Sequence, residues 1–100
     1  MTDLCLTLLC APAVEEKLLD TLLLRAVGLV FTSTPTAAHG LASGSLSPAE
    51  QVMGRAQAST VQVIFRAEHK EQLLDALRSQ LAGAGLRYWL TPVIEAGDIP

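Results

Sequence analysis

Residues 3–11, Asp3-Leu4-Cys5-Leu6-Thr7-Leu8-Leu9-Cys10-Ala11, read as a single β-strand that is apolar on both faces. Alternation puts Leu4, Leu6, Leu8 and Cys10 on one face and Cys5 and Leu9 on the other. A strand of this kind belongs in the middle of a sheet, where both faces are covered. The next question is which elements flank it.

Pro12 suits the first turn of a helix. Glu15 and Glu16 complement the positive N-terminal end of the helix dipole, and Arg25 the negative C-terminal end. Val14, Leu18, Leu19, Leu22, Leu23 and Ala26 recur at helical spacing, so the pattern predicts a helix over 12–26 that stops before Gly28. A β-branched run, Leu29-Val30-Phe31-Thr32-Ser33-Thr34-Pro35-Thr36, predicts a second strand over 29–36, with Pro35 marking an edge or rim. A third strand is predicted over 58–66, with Val61, Val63 and Phe65 facing one way and Thr60, Gln62 and Ile64 the other. A second helix over 67–82 buries Leu73, Leu74, Leu77 and Leu81 and stops at Gly83 and Gly85. Leu86-Arg87-Tyr88-Trp89-Leu90-Thr91 predicts a fourth strand, broken by Pro92; Val93-Ile94-Glu95 can resume beside another element.

The order is βαββαβ. Right-handed crossovers place both helices on one face of a four-stranded antiparallel sheet, which is the ferredoxin-like α/β sandwich of the α+β class. The other face then carries Cys5, Leu9, Ile64 and Trp89. That is too apolar for open water, and a partner is expected to cover it.

Composition agrees. One hundred residues make one domain, spanning 1–100. Half are hydrophobic, eighteen are leucine and only 17% are charged, which excludes intrinsic disorder. A net charge of −3 argues against a nucleic-acid partner, which requires a basic footprint. The apolar stretch from Leu4 to Val14 lacks a basic start and is interrupted by Glu15 and Glu16. It is too short to span a bilayer, so a soluble, not membrane-embedded, protein is expected. Cys5 and Cys10 stand roughly 17 Å apart along one strand, beyond disulfide reach. Two free thiols favour a reducing compartment, hence the cytoplasm.

Between the second and third strands, about residues 36–57, lies a loop longer than compact domains usually carry. Its Ser47-Pro48-Ala49-Glu50 spells a capping box with proline at the first helical position, predicting a short helical turn over 48–53. From Val27 through Phe65 the only formal charges are Glu50 and Arg55, and His39 is the one imidazole. A solvated loop would carry more charge, so this one is expected to fold against a subunit, a ligand or a target protein.

Several motifs here resemble one family. Phe31-Thr32-Ser33, His39-Gly40, Ala49-Glu50-Gln51-Val52 followed by Gly54-Arg55, Gln62-Val63 and Tyr88-Trp89 with Pro92-Val93 are similar to the PII-like superfamily. More closely, they resemble a group of small bacterial PII-like proteins of unknown function, often encoded beside heavy-metal efflux pumps. The resemblance covers nearly the whole chain and is most specific from Ala49 to Arg55. It implies a homotrimer with projecting loops and ligand clefts between subunits. The chain also departs from the PII pattern. Ala82-Gly83-Ala84-Gly85 contains no lysine, only Arg87 stands near it, and no arginine-bearing loop precedes Pro100. A PII-type ATP site is therefore disfavoured, and a divalent metal or a small anionic effector is the expected ligand.

On this reading the ligand-binding candidates are Ser33, His39, Gln51, Gly54, Arg55 and Arg87. Arg55 can grip an anion with its planar fork or form an intersubunit ion pair with Glu50 or Asp98. His39 can ligate a metal, but one histidine is a poor site alone, and a packing role is the favoured reading. Glu50 reads as a helix cap, and Gln51 as a partner of a backbone group or a ligand amide. Cys5 and Cys10 read as core thiols, His69 as a solvated residue and Trp89 as a core or interface anchor. Enzyme activity is not expected. There is no G-x-S-x-G around a serine, and acylphosphatase-type chemistry requires an asparagine, which the chain lacks. The expected function is a trimeric regulatory protein that binds an effector or metal between subunits and signals through its loop to a partner such as an efflux transporter. The alternative is a metal-binding tolerance protein without nucleotide sensing.

Overall fold

The computed structural model describes residues 2–26, 28–40 and 55–100, with Arg55 described through its backbone. The helical turn expected over 48–53, together with Glu50, Gln51 and Gly54, lies outside the described residues.

The elements follow the expected order: β1 (Asp3–Cys10), α1 (Pro12–Arg25), β2 (Phe31–His39), β3 (Arg55–Arg66), a 3-10 turn (Ala67–His69), α2 (Lys70–Gln80) and β4 (Arg87–Val93). The strands form one antiparallel sheet in the order β2-β3-β1-β4. The double-sided apolar strand β1 is indeed central, and β2 and β4 are the edges. Both helices pack on one face.

The core sits between helices and sheet. Leu6 and Leu8 from β1, Val61 and Val63 from β3, and Leu18 and Leu22 from α1 are sealed from solvent. Leu73, Leu74, Leu77 and Leu81 close it from the α2 side. Each helix stops for a local reason. At the end of α1 the Ala26 amide still donates to the Leu22 carbonyl (2.8 Å), and Gly28 follows at φ +83°. After α2, Gly83 at φ +78° takes a conformation that side chains resist.

Four expectations need correction. Leu23 was placed in the buried stripe of α1 but is 63% exposed. Six apolar positions make a stripe wider than the contact face of one helix on a sheet, so its margin stays wet. The second helix begins as a 3-10 turn, and regular α-helix covers only 70–80. Pro92 does not break β4: it pairs in register with Leu4, and the strand runs on to Val93. Nor does β2 end at Thr36. It continues through Pro35 to His39, and β3 already begins at Arg55, so 36–39 and 55–57 are ladder rather than loop. Both prolines lie on edge strands, where a missing N–H on the outer side costs no ladder bond.

Candidate functional site

Strand β3 is longer than its neighbour β1. Their pairing ends at Cys10↔Ser59, whereas β2 and β3 stay paired out to His39↔Arg55. Residues 36–39 and 55–58 therefore form a two-stranded arm beyond the body, leading into the segment 41–54. Two strands alone are marginal in water. The arm is nevertheless not wholly wet: Ala38, Ala56 and Ala58, which share one side of it, are buried. Gly40, at φ +80°, turns the chain out of β2.

The structure brings His39 and Arg55 opposite one another in the ladder, 16 residues apart in sequence. His39 is exposed there. Ser33 shares that side of β2, but six residues back, roughly 20 Å along the strand. Arg87 is elsewhere altogether. It pairs with Leu9 on β4, the opposite edge of the sheet, about 14 Å across. Its alternation class is that of Leu9 and Thr60, on the open face, whereas Ser33 is in register with Val61 on the helix side. One chain thus gathers His39 with Arg55 and leaves Ser33 and Arg87 apart.

The open face of the sheet has a polar centre with an apolar surround. Thr7 lies there, 3% exposed, between Gln62 of β3 and Trp89 of β4. The Gln62 Nε2 donates to Thr7 Oγ1 at 3.2 Å, and the Cys5 Sγ lies 4.0 Å from the same hydroxyl. Around it, Cys5 and Leu9 are half-buried, and Ile64 and Trp89 remain exposed. Trp89 therefore stands on the surface expected to meet a partner.

The two thiols differ. Cys10 faces the core, where burial first, and then the Glu15 carboxylate, push its pKa above the ordinary 9.0. A thiol held neutral is a poor soft-metal ligand. Cys5, on the open face, is free. Among the described residues, no three His, Cys, Asp or Glu side chains converge as metal ligands. No helix of the described residues is long and apolar enough to cross a membrane.

Sequence reasoning missed one feature. A cavity of about 250 Å³ opens between α2 and β4, floored by Leu8, Leu74, Leu77 and Leu81. Arg78 and Tyr88 stand at it. The Arg78 Nη2 donates to Tyr88 Oη at 3.3 Å and its Nη1 to Asp75 Oδ1 at 3.2 Å. The bond to Tyr88 is the main influence holding the guanidinium above its already high range. The available signal was Arg78 one position after buried Leu77, beside a glycine-rich turn. Only the strand–helix contact turns that signal into a groove.

Solved structures share this architecture. A family protein from Shewanella baltica is 18% identical, with a TM-score of 0.81, over 100% of this chain and 99% of that one. CPII, a nitrogen regulatory PII-like protein from Thiomonas intermedia, bound to ADP, AMP and bicarbonate, is 13% identical, with a TM-score of 0.72, over 99% and 98%. The periplasmic divalent cation tolerance protein CutA from Archaeoglobus fulgidus is 12% identical, with a TM-score of 0.67, over 96% and 87%. At such identities the likeness shows the fold alone, and that fold is PII-like and ferredoxin-like. The sequence matches no curated protein. Over residues 1–100 it does match the model of DUF3240, described as a protein of unknown function, and the chain belongs to that family.

Proposed function

We propose that the protein is a homotrimeric PII-like regulatory module. A small anionic effector or a metal ion binds in the clefts between its subunits, and the segment beyond the β2–β3 arm reports occupancy to a partner, a heavy-metal efflux transporter being the candidate. It performs no chemistry of its own. One observation carries this reading: among the described ligand candidates, Ser33 and Arg87 lie at opposite edges and on opposite faces of one sheet, so a cleft that joins them needs a second copy. The open face, with Ile64 and Trp89, supplies apolar surface for such a copy to cover. The fold neighbour CPII, whose ligands are ADP, AMP and bicarbonate, supports small anions as the ligand class. The two free cysteines support a cytoplasmic, reducing location.

The test has two parts. Sedimentation should give three times the 10.6 kDa chain mass. Calorimetry with ADP, AMP, bicarbonate and Zn²⁺ should show saturable binding, and binding of the anions should weaken in Arg55→Ala and Arg87→Ala. A monomer that binds none of the four ends the reading.

A second reading, metal tolerance without nucleotide sensing, rests on exposed His39 at the end of the arm and on the fold shared with CutA. Three copies would supply three imidazoles, the number a zinc site needs from its protein. His39→Ala should then abolish Zn²⁺ or Cu²⁺ binding; unchanged affinity rejects it.

A further inference from the structure

Two surfaces are left over, and their chemistry is complementary. Beyond Val93, residues 94–100 (Ile94-Glu95-Ala96-Gly97-Asp98-Ile99-Pro100) have no regular structure, and all are exposed. Ile94 and Ile99 are 104% and 100% exposed, the surface of a residue with no body against it. The only charges in this segment are the carboxylates of Glu95 and Asp98. The second surface is the groove between α2 and β4. Its cavity of about 250 Å³ is floored by leucines, and its one cation is Arg78. That volume equals about eight waters at about 30 Å³ each, enough for a branched aliphatic side chain. Arg78 already bonds Asp75 and Tyr88, but a guanidinium carries five N–H donors, so an apolar hollow beside it suits an aliphatic side chain next to a further carboxylate acceptor, the pattern Asp98-Ile99 offers.

The tail leaves β4 at Val93, whereas the groove lies at the opposite end of that strand, beside Leu86 and Tyr88. The separation is roughly 17 Å along the strand, directed away from the groove. A second copy meets the geometry without reversing the chain.

We infer that residues 94–100 of one copy seat in the α2–β4 groove of the next, with Ile99 in the leucine-lined cavity and Asp98 against Arg78. The inference rests on the trimeric reading. A head-to-tail contact of this kind uses two different patches of the chain, and three of them around a threefold axis close a ring. It also supplies a covering for two isoleucines that the fold leaves wet.

Nuclear magnetic resonance on mixed, full-length chains tests it. One population carries labelled isoleucine methyl groups, and the other carries protonated tyrosine on a deuterated background. The expected result is a magnetisation transfer from the Ile99 methyls to the Tyr88 ring in the mixture. The same transfer should appear from the valine methyls of Ile99→Val when valine is the labelled residue. Arg78→Glu should weaken the contact, and adding Asp98→Arg should restore it. Loss of one buried isoleucine corresponds to about a ten- to hundredfold weaker contact. Transfer seen only within one chain shows the tail folding back on its own body and overturns the inference, as does no transfer at all. Sedimentation separates this failure from that of the trimer. If Ile99→Asp leaves a wild-type trimer's dissociation midpoint unchanged, the tail contact falls and the trimer stands. A wild-type chain that is monomeric at every concentration removes both. Octanoate that saturates the Tyr88 site equally in wild type and Ile99→Asp makes the groove a small-molecule site and also overturns the inference.

Discussion

On the sheet face that carries the helices, Leu6, Leu8, Val61 and Val63 are at most 1% exposed. On the other face of the same strands, Cys5 and Leu9 are half-buried, and Ile64 and Trp89 keep 42% and 44% of their surface. Strand alternation supplies apolar side chains to both faces, but two helices cover only one of them. The covered face holds the fold together within one chain. The open face leaves apolar side chains in water, where the proposed assembly would cover them. This difference gives the excess of leucine over charge a location: one apolar face is covered within the chain and the other is not.

The largest expected effect breaks the covered face. Leu6→Ala or Leu22→Ala removes a fully buried side chain and leaves a cavity, at a cost of about 2–5 kcal/mol. Urea unfolding monitored by circular dichroism should show the shift in midpoint. The same kind of change on the open face should behave differently. Ile64→Ala should cost an isolated chain about 1 kcal/mol or less, because much of the side chain is already wet. Ile64→Asp should leave secondary structure intact and dissociate the proposed trimer in sedimentation. Trp89 fluorescence should move to the red on dilution of wild type; an Ile64→Asp protein that unfolds outright would show that the open face belongs to the fold of the single chain.

A smaller effect concerns Cys10. The folded-state pKa of Cys10 lies above its unfolded value of 9.0 because the core disfavours a thiolate. The neutral thiol's contribution is therefore complete below about pH 9 and is lost as the pH rises through the folded value. Thermal melts of wild type should fall above pH 9 more steeply than those of Cys10→Ala. The smallest effect concerns the edges. Pro92→Val restores an edge N–H and should change stability by only about 0.5 kcal/mol. It should, however, raise aggregation measured by light scattering, since an edge proline blocks strand addition.

Element types could be read from period alone. Residues 3–11 alternate, 70–81 repeat at helical spacing, and Gly28 and Gly83 mark stops, because these are local steric and burial constraints. Where the reading was short, the deciding partner was distant. Pro35 and Pro92 look like strand breakers until the sheet order makes β2 and β4 edges. Leu23 looks like core until the width of the α1 contact excludes it. Of the candidate site, the sequence suggested His39 and Arg55, and ladder register places them opposite one another. It did not suggest the α2–β4 groove, because Arg78 and Tyr88 belong to different elements and meet only through packing.

By itself, then, the sequence determined the order βαββαβ, the central place of β1 and the apolar character of both its faces. Each of these follows from interactions between near neighbours along the chain. The tertiary structure decided which apolar face is covered, how far the β2–β3 arm extends, and that Ser33 and Arg87 stand on opposite edges and faces of the sheet. Those outcomes depend on contacts between residues far apart in sequence, whose register no local period encodes.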